Sequence, residues 1–231
     1  MNNLRDYFNG CISVENIENI TRTYLKAALA AEKVVNDVYE KTGSGKPRFP
    51  IDIEMIAREH GFHVEREELN STGEKRYSRM LGKIFTRGDR ITITVDNSVS
   101  YKTQRYAIAH AIGRWIISSE YKIFESSYAI PLIPQGLEEV AADVVALFLL
   151  LPLEVFKEEF VRYLDSCRIY PLDVDEWLSD LSNKSQISLF NLSIGYQQLK
   201  QVLCWQRQQD FEKSGFNIDM LMDDPYGKIF A

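Results

Sequence analysis

Arg105-Tyr106-Ala107-Ile108-Ala109-His110-Ala111-Ile112-Gly113-Arg114 is the stretch on which the reading of this chain turns. Tyr106, Ala109, His110, Gly113, Ile116 and Ile117 recur at three- and four-residue spacing, so they share one stripe of a helix. Ile108, Ile112 and Trp115 cover much of the rest. A helix apolar on most sides belongs in the middle of a domain. One imidazole on such a helix is ordinarily a hydrogen-bonded core group. The frame of His110-Ala111-Ile112-Gly113-Arg114, however, is that of H-E-x-x-H. In that motif two imidazoles one turn apart hold Zn²⁺, and the glutamate between them deprotonates the metal-bound water. Only the first imidazole survives here. Ala111, at the base position, has nothing to titrate. Arg114, at the second ligand position, is a permanent cation with no lone pair to donate.

Working outward, Ser98 or Ser100 is the expected N-cap of this helix, which runs to Ser118 or Ser119. Upstream the pattern changes to period two. Ile91, Ile93 and Val95 point one way, Thr92 and Thr94 the other, and Arg87-Gly88-Asp89 supplies a turn, so residues 80–96 read as a hairpin at the edge of a small sheet. Phe62-His63-Val64-Glu65 reads as a short strand. Pro50 to Ala57 begins a helix that stops at Gly61, and residues 13–41 read as a helix with Leu25, Ala28, Ala31, Val35 and Val38 on one face. Downstream, residues 121–136 read as a connection containing Pro131, Pro134 and Gly136. A second buried helix starts near Leu137 and ends before Pro152. Leu153 to Tyr163, Val174 to Leu181 and Ser188 to about Lys213 read as further helices.

Composition sets the class. The 231 residues are 45% hydrophobic and 26% charged, as in an ordinary globular protein. The net charge of −6 and pI of about 5.2 argue against a surface built to neutralise phosphates. Cys11, Cys167 and Cys204 are widely spaced and read as reduced thiols. The N-terminal residues have no apolar core of a signal peptide, and the apolar run Val140–Leu153 is interrupted by Asp143 and too short to span a bilayer. The expectation is a cytoplasmic protein with no membrane partner.

The order of segments resembles the ImmA/IrrE family of small zinc metallopeptidases. Pro50-Ile51-Asp52-Ile53-Glu54-Met55-Ile56-Ala57 is similar to the family's proline-led helix opening. Leu81-Gly82-Lys83-Ile84 with Ile91 to Val95 is similar to its hairpin. Arg105-Tyr106-Ala107-Ile108-Ala109-His110 resembles its approach to the active helix, and Glu139 through Ala142-Asp143 to Leu149-Leu150-Leu151-Pro152 resembles its "ExxAN…LLMP" segment. The match covers residues 50–155. Carried over by position, His110 falls at the first zinc ligand, Ala111 at the general base, Arg114 at the second ligand and Glu139 at the third. The resemblance implies a zincin-like fold, with two helices beneath a small twisted sheet. Active members cut or otherwise inactivate a helix-turn-helix repressor.

The fold class expected is therefore α+β, with a zincin-like core over residues 46–160, an N-terminal helical extension over 1–45 and a C-terminal helical region over 161–231. Two donors, His110 and Glu139, fall short of the three that a zinc site needs. No catalytic residue, metal or cofactor is expected. In place of the metal, Arg114 is expected to pair with Glu139, with Asp143 or Glu138 as further acceptors; the alternative is that its head reaches solvent. His60 and His63 read as surface or packing residues, and Tyr106, Trp115 and Phe124 as core aromatics rather than a peptide groove. The Ile91–Val95 strand would pair with a partner strand only at an open sheet edge. Ile187 to Lys200 is similar to the C-terminal segment with which some relatives resemble a DNA-binding turn, but without a basic cluster direct nucleic-acid contact is not expected. The functional expectation is a catalytically silent relative that binds a protein, such as a helix-turn-helix regulator. The alternatives are an active zinc endopeptidase recruiting Asp143 or a partner's histidine, and an antitoxin-like or scaffold subunit.

Overall fold

The computed structural model describes residues 20–69, 79–87, 90–117, 124–128, 137–167 and 173–196. The elements in chain order are α1 (Ile20–Lys41), α2 (Ile53–Glu59), β1 (Phe62–Glu67), β2 (Arg79–Arg87), β3 (Arg90–Asp96), α3 (Tyr101–Ile117), β4 (Phe124–Tyr128), α4 (Leu137–Leu150), α5 (Leu153–Cys167) and α6 (Val174–Ser185). Residues 189–196 are helical again. This is an α+β architecture. The strands form one mixed sheet in the order β1-β3-β2-β4, with β1 parallel to β3 and the other pairs antiparallel.

Two expectations are corrected here. The hairpin β2–β3 lies in the interior of the sheet rather than at its edge, because β1 pairs with the outer side of β3 and β4 with the outer side of β2. Ile91 to Val95 is therefore no docking strand. The stretch 121–136 also contains a strand, β4, and is not wholly a connection. Its sequence, Phe124-Glu125-Ser126-Ser127-Tyr128, lacks the β-branched alternation that makes β3 legible. Its strand character comes from pairing with β2, where the register shifts between Met80 and Gly82.

The alternation in β3 sorts the two sheet faces. Ile93 and Val95 are buried on the helix side, where Gly82 of β2 lies opposite Val95; an added Cβ would stand 3.2 Å from the Thr94 carbonyl oxygen and in ordinary contact, 3.6 Å, with the Ala107 methyl of α3. Thr92 and Thr94 are also buried, although they face away from the helices. Their rows carry the longer side chains of His63, Glu65, Lys83 and Phe85 from the flanking strands, which shade the short threonines. Lys83 sits above the Phe85 ring and 3.5 Å from Glu67.

Behind the sheet lies α3, which packs on β2 and β3 and more extensively on α4; α1 covers α4 in turn and also meets α2. Burial on most of its surface, as its sequence pattern predicts, follows from this middle position. The described parts of the N-terminal helix, the core and the C-terminal helices all contribute to one buried cluster, from Ala27 to Tyr196. Local chemistry sets the boundaries. The Asp52 carboxylate accepts from the Met55 amide at 2.9 Å and caps α2, which ends at His60 before Gly61 at φ +85°. Asp52→Ala is expected to lower stability by about 1 kcal/mol in chemical denaturation, the usual worth of such a cap. At the sheet-to-helix junction the buried Asp96 carboxylate accepts from the Ser98 amide and hydroxyl. Ser100 then caps α3 by accepting from the Thr103 amide at 3.3 Å.

Candidate functional site

The α3–α4 crossing brings the predicted residues together. Gly113 of α3 lies directly against α4: a Cβ built there would stand 2.5 Å from the Ala142 carbonyl oxygen. Only a residue without a side chain permits this approach. Glycine costs a helix interior about 1 kcal/mol relative to alanine, so its presence in mid-helix has a packing cause.

Around that contact, Tyr106, His110 and Arg114 succeed one another at four-residue spacing on α3, and Asp143 follows Ala142 on α4. The Tyr106 hydroxyl donates to Asp143 Oδ1 at 3.0 Å, and His110 Nε2 lies 3.3 Å from the same oxygen. The Tyr106 and His110 rings are near-parallel, with centroids 6.3 Å apart. His110 is only 4% exposed in its side chain while Asp143 is 35% exposed, so solvent reaches the cluster through the carboxylate and not through the imidazole.

Burial is the leading influence on both titrating groups. It pushes the His110 pKa down; Asp143 acts against that shift, and the Arg114 charge reinforces it. It pushes the Asp143 pKa up, opposed by His110, by the Tyr106 hydroxyl and by Arg114. Both groups are thus driven towards their neutral forms. The 3.3 Å separation agrees with this, being longer than the 2.7–2.9 Å typical of a charged imidazolium–carboxylate bond.

Ala111 is 1% exposed. Arg114 is partly exposed and close enough for its charge to act on both His110 and Asp143. Glu139 belongs to α4 one turn before Asp143, and its side chain, like that of Glu138, lies outside the described residues. His63 pairs with Glu65 at 3.1 Å on β1, and His60 ends α2 with its pKa lowered, chiefly by burial. Tyr106 and Trp115 are buried, Trp115 edge-on to Phe62 at 5.9 Å; the Phe124 side chain lies outside the described residues.

Two contacts of α3 are not evident from the sequence. The Tyr106 hydroxyl serves Asp143, and the signal available was its position one turn before His110. The other is Arg105, buried at 3% exposure, whose guanidinium donates to the Ile51 carbonyl at 2.6 Å and the Ser185 carbonyl at 3.5 Å. Ser185 is the last residue of α6, where carbonyls lack helical partners and the helix dipole is negative. One turn earlier on α3, Lys102 donates to Ser182 and Asn183 of the same helix end. Two carbonyls and the negative end of a helix dipole offset part of the cost of burying the Arg105 cation. The same helix that carries His110 therefore anchors the C-terminal helices.

The residues present do not fit a hydrolytic zinc centre. In an H-E-x-x-H frame the base would fall at Ala111, a buried methyl group, and the second ligand at Arg114, a guanidinium whose charge acts on the His110 imidazole. Among the described residues no three His, Cys, Asp or Glu side chains gather into a metal-binding group, and no helix among them is long and apolar enough to cross a membrane. Comparison of the sequence with protein-family models and with curated proteins finds no match in either.

Proposed function

We propose that this chain is a degenerate zincin-like relative of the ImmA/IrrE metallopeptidases that acts by binding a protein rather than by cutting one. The observation that carries the reading is the occupancy of the α3–α4 crossing by protein groups: Tyr106 and His110 meet Asp143, Arg114 adds a fixed positive charge beside them, and Ala111 is sealed from solvent. In an active relative a metal cation would face the α4 carboxylates. Here Arg114 supplies a positive charge that opposes the rise of the Asp143 pKa caused by burial. A carboxylate left without a cation at such a site would cost several kcal/mol or be protonated. The acidic chain suits a basic protein partner, of which a helix-turn-helix regulator is one kind.

Metal analysis after purification without chelator tests the reading, with substoichiometric zinc expected. Arg114→His is expected to raise zinc affinity, because it removes the cation and returns an imidazole one turn from His110. Adding Ala111→Glu is expected to lower stability by several kcal/mol, since the new carboxylate is buried at a covered position. If Arg114→His stays folded and binds zinc no better than the parent, Glu139 does not occupy a ligand position.

One observation favours a second reading. The 3.3 Å between His110 Nε2 and Asp143 Oδ1 also equals the spacing of adjacent donors around a tetrahedral ion with bonds of about 2.0 Å. In that reading Asp143 replaces the lost imidazole in a working peptidase. One tightly held zinc per chain, together with peptide hydrolysis abolished by His110→Ala, would establish it and overturn the first.

A further inference from the structure

The C-terminal helices carry an inference beyond the vestigial site. Helix α6 ends at Ser185, Gln186 turns the chain in the left-handed conformation (φ 55°), and a new helix runs from residue 189. The pair is held firmly. Ser182 Oγ donates to the Ile187 carbonyl at 2.6 Å, the Trp177 and Tyr196 rings meet edge to face at 5.7 Å, and Lys102 and Arg105 bind the α6 C-terminus. The inner face of the second helix comprises Asn191, Leu192, Gly195 and Tyr196, all buried. Gly195 presses so closely on α4 that an added Cβ would lie 2.7 Å from the Leu147 side chain.

The outer face exposes three large apolar side chains around Ser193, whose hydroxyl donates to the Leu189 carbonyl at 2.8 Å. Phe190 is 58% exposed, Leu189 48% and Ile194 42%. Phe190 and Ile194 are one turn apart, so they form a continuous stripe with Leu189 beside it. Three large apolar groups on the outward side of a short helix are a surface suited to burial against a partner. Two helices joined by a three-residue turn are the arrangement with which many proteins enter the DNA major groove. Among the described residues of this pair Lys184 is the one cation, and the first helix exposes Asp175, Glu176 and Asp180 after Asp173. Lys184 is bound to Glu159 at 3.0 Å. Phosphates would be repelled, and a second copy would bring the same carboxylates face to face.

We infer that Leu189, Phe190 and Ile194 form a docking stripe for a protein partner whose own apolar face is bordered by lysine or arginine. Apolar contact supplies affinity, and the α6 carboxylates select the charge of the partner's rim.

The probes are two synthetic amphipathic helices about five turns long, one of leucine and lysine and one of leucine and glutamate. Their binding to the full chain is followed by fluorescence anisotropy at about 0.1 and about 0.5 M salt. The lysine peptide is expected to bind at least tenfold more tightly than the glutamate peptide, to weaken with salt, and to lose at least tenfold in Phe190→Asp. Phe190→Ser serves the same purpose should the charged variant fail to fold. Equal binding of both peptides, or binding that ignores Phe190, overturns the inference. So does a concentration-dependent dimer dissociated by Phe190→Asp, which would make a second copy the occupant. A photo-crosslinker at position 190 that captures residues 197–231 of its own chain also overturns it. All these outcomes are independent of zinc content, so the docking stripe and the vestigial-site reading stand or fall separately.

Discussion

Gly113→Leu is expected to destabilise the fold by about 3 kcal/mol or more, the upper range for overpacking, read as a lowered urea midpoint. The cause is the 2.5 Å between a Cβ at this position and the Ala142 carbonyl oxygen. That neighbour is backbone, so no rotamer change relieves the clash, and α3 and α4 must separate along their whole contact. Gly113→Ala already meets the same atom and is expected to lower stability despite alanine's higher helix propensity. Leu29→Ala, at a helical position 49% exposed, serves as the control and is expected to change stability by less than about 0.5 kcal/mol. Wild-type stability in Gly113→Leu would mean that the two helices do not cross there. The Tyr106–His110–Asp143 cluster would then lose its geometric basis.

Acidification should give the second large effect. Burial lowers the folded-state pKa of His110 and, more modestly placed, of His60. An unfolded chain therefore takes up protons at these groups near their ordinary pKa of about 6.5, while the folded chain does not. Stability contributed by the neutral buried imidazole is complete above that value. It is lost as pH falls towards the folded pKa, with a slope of up to about 1.4 kcal/mol per pH unit for one histidine. Asp143 behaves oppositely. Its folded pKa is raised, so stability rises as pH falls through that value and the gain is complete below the ordinary carboxylate range. His110→Gln is expected to flatten the decline below about pH 6.5. Asp143→Asn should leave that decline in place, because it removes the charge that favours protonated His110. Denaturation midpoints measured between neutral and mildly acidic pH check both. An unchanged slope in His110→Gln would show that the imidazole is not buried in its neutral form.

The helix of residues 101–117, expected from Ser98 or Ser100 to Ser118 or Ser119, and the buried helix that follows were legible because their apolar residues recur with the helical period and have clear terminal signals. Ser100 precedes one, and Leu151-Pro152 follows the other. The hairpin was legible from the Ile-Thr alternation of β3. Its place in the sheet was not, since neighbour order depends on strands distant in sequence, and β4 has a composition that only pairing turns into a strand. At the site, His110, Asp143 and Arg114 were named from spacing, but the expected central pairing of Arg114 with Glu139 involves a side chain outside the described residues. The contacts found at Asp143 come from Tyr106 and His110. Arg105 was quoted only as part of a motif, because nothing in linear sequence tells that carbonyls of residues 51 and 185 converge on one guanidinium.

The chain by itself determined that His110, Ala111 and Arg114 stand on one helix whose apolar pattern calls for burial. Their covalent identity, one imidazole, one methyl group and one guanidinium, is unaltered by folding. Tertiary structure alone decided which groups that imidazole meets. A glycine in one helix lets the backbone of another approach to contact distance, and at that distance the Asp143 carboxylate reaches both Tyr106 and His110 while desolvation drives the acid and the imidazole towards their neutral forms.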